Sequence, residues 1–145
     1  MISVGLAEQL AMAGLRWQPQ RGDHFVLPHR DMDEQVFVLS DMTIEVHQFP
    51  AGEVIGFNGT VEWALDSVER HEALWLPRED QLRENLGDRF VALRRTDEGY
   101  LCEVRSESSE MGRRDHVVRT HAGRTAAEAY ALALLDVLLS MVHRP

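Results

Sequence analysis

The chain has no lysine: all fifteen of its basic side chains are arginine. Chemistry that needs a side-chain amine is thereby excluded. No lysine can reach the β/γ-phosphates of a nucleotide in a P-loop, form a Schiff base with a carbonyl or pyridoxal phosphate, or complete a serine–lysine dyad. Asparagine and isoleucine are also scarce, supplied only by Asn58 and Asn85 and by Ile2, Ile44 and Ile55. A GC-rich coding sequence gives that bias, and on most surfaces arginine replaces lysine without consequence.

Cysteine is nearly missing. Cys102 stands alone, so no internal disulfide can form. In the alternating run Tyr100 to Val104 it shares a face with Tyr100 and Val104, which predicts a core position. With no basic or apolar leader ahead of the first helix, the chain reads as reduced and cytoplasmic. Long apolar runs are absent too. The longest, Ala129 to Val142, is interrupted by Asp136 and Ser140 and falls short of the roughly 20 residues that a bilayer requires. Nor is there a Gly-x-Ser-x-Gly elbow, a Gly-x-Gly-x-x-Gly turn, a Cys-x-x-Cys pair or a His-Glu-x-x-His helix, each of which would carry a defined chemistry.

What is present is enough for a hydrophobic core. The 145 residues are 44% hydrophobic, which suits one domain over residues 1–145. The net charge of -9 is unevenly spread. Residues 1–88 carry six arginines against sixteen acids, giving -10, and residues 89–145 carry nine against eight, giving +1. Most of such a surface repels phosphate backbones, so nucleic acid is disfavoured as a partner.

Ser3 caps a first helix with Leu6, Leu10 and Ala13 at helical spacing and Gly14 at its end. Strands follow at His24 to Leu27, stopped by Pro28, and at Gln35 to Ser40, whose apolar run predicts burial on both faces. His29 to Glu34 between them reads as a polar turn. Thr43 to Phe49 alternates and predicts one wet face, and Pro50-Ala51-Gly52 turns into Val54 to Phe57. Thr60 is placed to cap a short helix through Val68, and Arg78 to Leu86 reads as a second. A hairpin is expected from Phe90 to Arg95 and Tyr100 to Arg105, then a mobile loop over Ser106 to Asp115 and a strand over His116 to His121. Thr125-Ala126-Ala127-Glu128 fits a capping box that opens an apolar terminal helix. The predicted architecture is a single α+β domain: one curved antiparallel sheet of about six or seven strands, the N- and C-terminal helices on one face and two short mid-chain helices.

Seven histidines and many carboxylates invite a metal-dependent hydrolase or nuclease. Asp31, Asp33, Glu45 and His47 are the candidates, Glu45 and His47 sharing a strand face. The His29 to Glu34 stretch lacks the glycine and closing glutamate of a calcium loop. Among large residues, tryptophan is the type enriched in binding hot spots, and Trp63 and Trp75 bracket the mid-chain crossover. Asn58, Trp63, Asp66, Trp75 and Arg78 form the candidate partner-binding group, and no catalytic, metal or cofactor residue is assigned.

Val36 to Met42, Gly56 to Thr60 with Glu62 to Ser67, Leu74 to Leu82, and Glu128 to Leu132 resemble a family of small actinobacterial proteins commonly labelled "pilus assembly protein CpaE". The resemblance implies a link to pilus assembly through that label and carries over no functional residues. The reading that follows is a non-catalytic cytoplasmic interaction module that binds a protein partner or a copy of itself, with no cofactor. Two alternatives stand beside it: the divalent-metal hydrolase or nuclease, and an acidic inhibitor or immunity-type protein that masks a basic partner.

Overall fold

The computed structural model describes residues 1–28, 32–39, 45–49, 52–56, 67–69, 73–110 and 113–142. It is α+β, with helices α1 (Val4–Met12), α2 (Glu79–Leu86) and α3 (Ala126–Val142). The described strands are β1 (His24–Leu27), β2 (Met32–Val38), β3 (Glu45–Phe49), β4 (Gly52–Gly56), β5 (Ser67–Glu69), β6 (Leu74–Leu76), β7 (Phe90–Thr96), β8 (Gly99–Glu110) and β9 (Arg113–Gly123). In place of one curved sheet they form three antiparallel sheets of three strands, ordered β2-β1-β6, β3-β4-β5 and β7-β8-β9. Two compact units result, residues 16–76 and residues 1–15 with 77–145.

In the unit of residues 16–76, the core gathers Trp17, Phe25, Leu27 and Leu39, with Phe37, Ala73 and Trp75 packed against them. The Phe25 ring lies 5.6 Å from Trp17 and 5.5 Å from Phe37. Asp23 is fully buried beside this cluster. Its Oδ2 accepts hydrogen bonds from Trp17 Nε1 at 2.8 Å and from the Gln20 amide at 2.9 Å. Its own carbonyl accepts from the Leu39 amide, so one aspartate ties the Arg21-Gly22 turn to the end of β2.

Three expectations are corrected in this unit. The apolar run Val36 to Leu39 is not buried on both faces, because Val36 and Val38 are 38% and 56% exposed while Phe37 and Leu39 turn inward. β2 is an edge strand of its sheet, paired with β1 alone among the described strands, so alternation sets its burial. Part of the expected turn, Met32 to Glu34, already belongs to β2, and Val68 lies in β5 where a helix was predicted. The remainder of that helix, residues 60–66, lies outside the described residues.

The other unit is built around α3. Its Thr125 Oγ1 accepts from the Glu128 amide, and the Glu128 carboxylate reaches back to the Arg124 amide, one residue beyond the usual capping box. Ala127, Ala129, Tyr130, Ala131, Ala133, Leu134 and Val137 are buried. The helix packs on β8 and β9, with α2 and α1 packed on α3, so the first helix rests on the last one. α1 itself starts at Ser3, whose hydroxyl accepts from the Leu6 amide. It stops at Gly14, whose φ of 109° lets Gly14 and Leu15 bond back to Ala11 and Leu10. Gln81 caps α2 by accepting from the Arg78 amide. Arg83 lies over the Phe90 ring at 4.7 Å, and that ring meets Tyr130 at 5.8 Å, a cation–aromatic stack joining α2, β7 and α3. No helix among the described residues is long and apolar enough to cross a membrane.

The expected mobile loop is strand. Ser106–Glu110 and Arg113–Asp115 belong to β8 and β9 and pair in register from Ser106↔Val117 to Glu110↔Arg113. Polar composition suggested a loop, but backbone pairing between strands needs no apolar alternation and leaves little trace in hydropathy.

Candidate interaction surface

Register sets out a row of chemistry-bearing residues among the described residues of the α3 unit. Cys102 lies opposite His121, and Val104 lies opposite Arg119; directly opposed residues share a face of the sheet. That face is the one α3 covers, as the burial of Cys102 and Val104 shows. From α3, Asp136 meets the row. Its Oδ2 is 3.1 Å from His121 Nε2, and Arg119 Nη1 donates to both carboxylate oxygens at 3.3 and 3.4 Å. Ser140 Oγ donates to the Asp136 carbonyl one turn along.

Cysteine, histidine and aspartate in one row are the raw material of a thiol nucleophile, but the geometry assigns them another task. The Cys102 thiol is fully buried. Burial, and then the negative charge of Glu103, push its pKa up to about 11, so it stays protonated where a nucleophile must ionise. The imidazole nitrogen Nε2 is occupied by Asp136. The trio Arg119, His121 and Asp136 is therefore a polar tie between β9 and α3. A thiol-specific alkylating reagent at neutral pH is expected to leave Cys102 unmodified in the folded chain and to label it on unfolding. The raised pKa also has a stability consequence. A group whose folded pKa exceeds its unfolded value of 9.0 contributes stability in full below pH 9 and loses it as pH rises through about 11. Cys102→Ala is expected to flatten part of that alkaline decline in urea unfolding. Tyr130, also raised chiefly by burial, supplies another part.

The residues singled out in the sequence are scattered. Asn58, Trp63 and Asp66 lie outside the described residues. Trp75 sits in β6 opposite Phe25, half-buried on the aromatic cluster, and its buried indole N–H finds no acceptor among the described residues. Arg78 precedes α2 and donates to Asp80 at 3.2 Å. Trp75 and Arg78 fall in different units. Of the proposed metal ligands, Asp31 lies outside the described residues. Asp33 belongs to β2 and Glu45 and His47 to β3, strands of different sheets. Among the described residues no group of three or more His, Cys, Asp or Glu is placed to hold a metal ion.

A feature that hydropathy did not announce is the length of the β8–β9 hairpin. β7 pairs with β8 only as far as Phe90↔Val104. Beyond it β8 and β9 continue through six further pairs, Arg105↔Val118 to Glu110↔Arg113, a reach of roughly 20 Å at strand rise. Near its base Val117 and Val118 are 42% and 52% exposed. The sequence signal that could have found the ribbon is the Met111-Gly112 pair midway between two β-compatible stretches.

The chain matches no family model, no curated protein and no solved structure.

Proposed function

We propose that this chain is a non-catalytic protein-interaction module whose contact surface is the β8–β9 ribbon. One observation carries the reading: two strands run past the sheet that supports them and keep adjacent valines in water. An isolated two-stranded hairpin is marginally stable in water, and an uncovered strand edge is a template for pairing with another chain. The residues best suited to catalysis point the same way, since Cys102 is sealed under α3 and His121 is bonded to Asp136. A cytoplasmic setting belongs to this proposal on the strength of the lone cysteine, and a role connected with pilus assembly on the strength of the sequence resemblance alone.

Affinity capture with the tagged chain from a lysate of its own cells, followed by light scattering on the recovered complex, tests the reading. A stoichiometric complex with another protein is expected. A chain that stays monomeric, captures nothing and turns over a phosphoester or peptide would overturn it.

A further inference from the structure

We propose that the cavity between α2 and α3 binds a small alkylammonium cation, at a site apart from the β8–β9 ribbon. The cavity holds about 600 Å³ and is lined by Glu79, Asp80, Arg83, Glu84, Gly87 and Tyr130, a volume inside the roughly 300–1,000 Å³ of small-molecule sites. Asp80, Arg83, Glu84 and Gly87 recur at helical spacing, so one face of α2 and its C-terminal glycine form a wall. Tyr130 of α3 closes the other side.

The tyrosine distinguishes this place from an ordinary solvated helix face. Tyr130 is only 4% exposed, and its ring is held against Phe90 at 5.8 Å. Its hydroxyl nevertheless makes no hydrogen bond to a described residue, and it is not sealed in the interior but opens on the cavity. Polar groups of buried residues are ordinarily bonded within the protein. Burial raises the Tyr130 pKa; Arg83 lowers it, and Glu79 and Cys102 raise it, which puts two of the cavity's charged side chains within electrostatic reach of the hydroxyl. At neutral pH the phenol is uncharged and can accept an N–H.

The charged groups that are already engaged narrow the guest. Asp80 is held by Arg78 at 3.2 Å, and Arg83 lies over the Phe90 ring. Glu79 and Glu84 have no ion pair among the described residues. With Arg78 counted, three acids stand against two arginines, giving -1. The acceptors left over are two carboxylates and one phenol oxygen. An anion would meet the excess negative charge, and among the described residues no group of three or more His, Cys, Asp or Glu is placed to hold a metal ion. An alkylammonium suits all three acceptors. Its charge answers Glu79 and Glu84, an N–H reaches the hydroxyl oxygen, and its carbon chain lies along the Tyr130 ring.

Isothermal titration of the full chain at low salt tests this with three probes: hexamethylenediamine, its fully N-methylated counterpart hexamethonium, and magnesium chloride. The diamine is expected to bind saturably and magnesium is not. Hexamethonium keeps the chain and the charge but has no N–H, and should bind about tenfold more weakly. Tyr130→Phe deletes only the hydroxyl and should weaken the diamine about tenfold as well. Its urea midpoint should not fall, because the deleted group has no partner within the protein. Glu79→Gln with Glu84→Gln should remove saturable binding while circular dichroism stays unchanged. A lowered midpoint for Tyr130→Phe would show the hydroxyl bonded inside the fold and would overturn the site. So would the absence of saturable diamine binding, hexamethonium binding equal to the diamine's, preference for magnesium, or diamine affinity untouched by either variant. None of these outcomes bears on the ribbon, which shares no residue with the cavity.

Discussion

Asp23→Ala is expected to lower stability by about 3–4 kcal/mol, read as a shift in the urea midpoint. The carboxylate is fully buried and one oxygen receives both the Trp17 indole N–H and the Gln20 amide. Alanine removes the acceptor and leaves the Trp17 N–H in the protein interior and the Gln20 amide part-buried, and each unsatisfied buried donor costs about 1–3 kcal/mol. The full charge is lost with it, so the net figure lies below the sum of two orphaned donors and two charged hydrogen bonds. Asp23→Asn keeps a carbonyl oxygen at the same place and should cost less than half as much. The consequence is local. Trp17 anchors the aromatic cluster with Phe25, so amide protection in residues 16–76 should fall before that of the other unit. Equal losses for alanine and asparagine would mean that the hydrogen bonds do not carry the effect.

A comparable loss, about 3 kcal/mol or more, is expected from Gly123→Ala. A Cβ at Gly123 would stand 2.4 Å from the Ala129 backbone nitrogen and 2.9 Å from Ala129 Cα and Glu128 C. These are backbone atoms of the first turn of α3, so relief requires the helix to lift from the sheet. That movement would open the packing of Ala129 and Tyr130 and strain the tie from Asp136 to Arg119 and His121. Gly99 meets the same junction from the other side, its Cβ position pressed against the Gly123 carbonyl, at a φ of 144°. Gly5 provides the control. Nothing lies within 4 Å of its Cβ position and it sits inside α1, so Gly5→Ala should stabilise by about 0.5–1 kcal/mol through helix propensity. Opposite signs for these two substitutions, measured by urea unfolding, would establish that α3 seats on Gly123.

The contrast between what the sequence announced and what it concealed is physical. Local signals were legible. Ser3 and Gly14 bound α1, Thr125 and Glu128 open α3, β3 and β4 pair with each other as neighbours in sequence, and alternation puts Cys102 with Val104 in the core. Each depends on neighbours a few residues away. Pairings between distant segments were not legible. That Leu74 to Leu76 joins β1 across about fifty residues, or that strands divide into three sheets, follows from competition among edges that one sequence does not rank. The β8–β9 ribbon escaped because a run of Ser, Glu and Arg carries no apolar alternation, although its backbone pairs in register. Asp23 escaped because its partner, Trp17, is recognisable only when the turn closes. The candidate site shifted accordingly, from tryptophans named by residue type to a strand edge named by register.

The central claim is that this chain acts by offering an edge of its sheet while its cysteine and histidine serve packing. Hydrogen–deuterium exchange of the chain with and without the captured native partner tests it most directly. Protection is expected across the β9 amides, Arg113–Gly123, with little change at β6 or α2. Protection concentrated on residues 16–76 with β9 exchanging as before would contradict it.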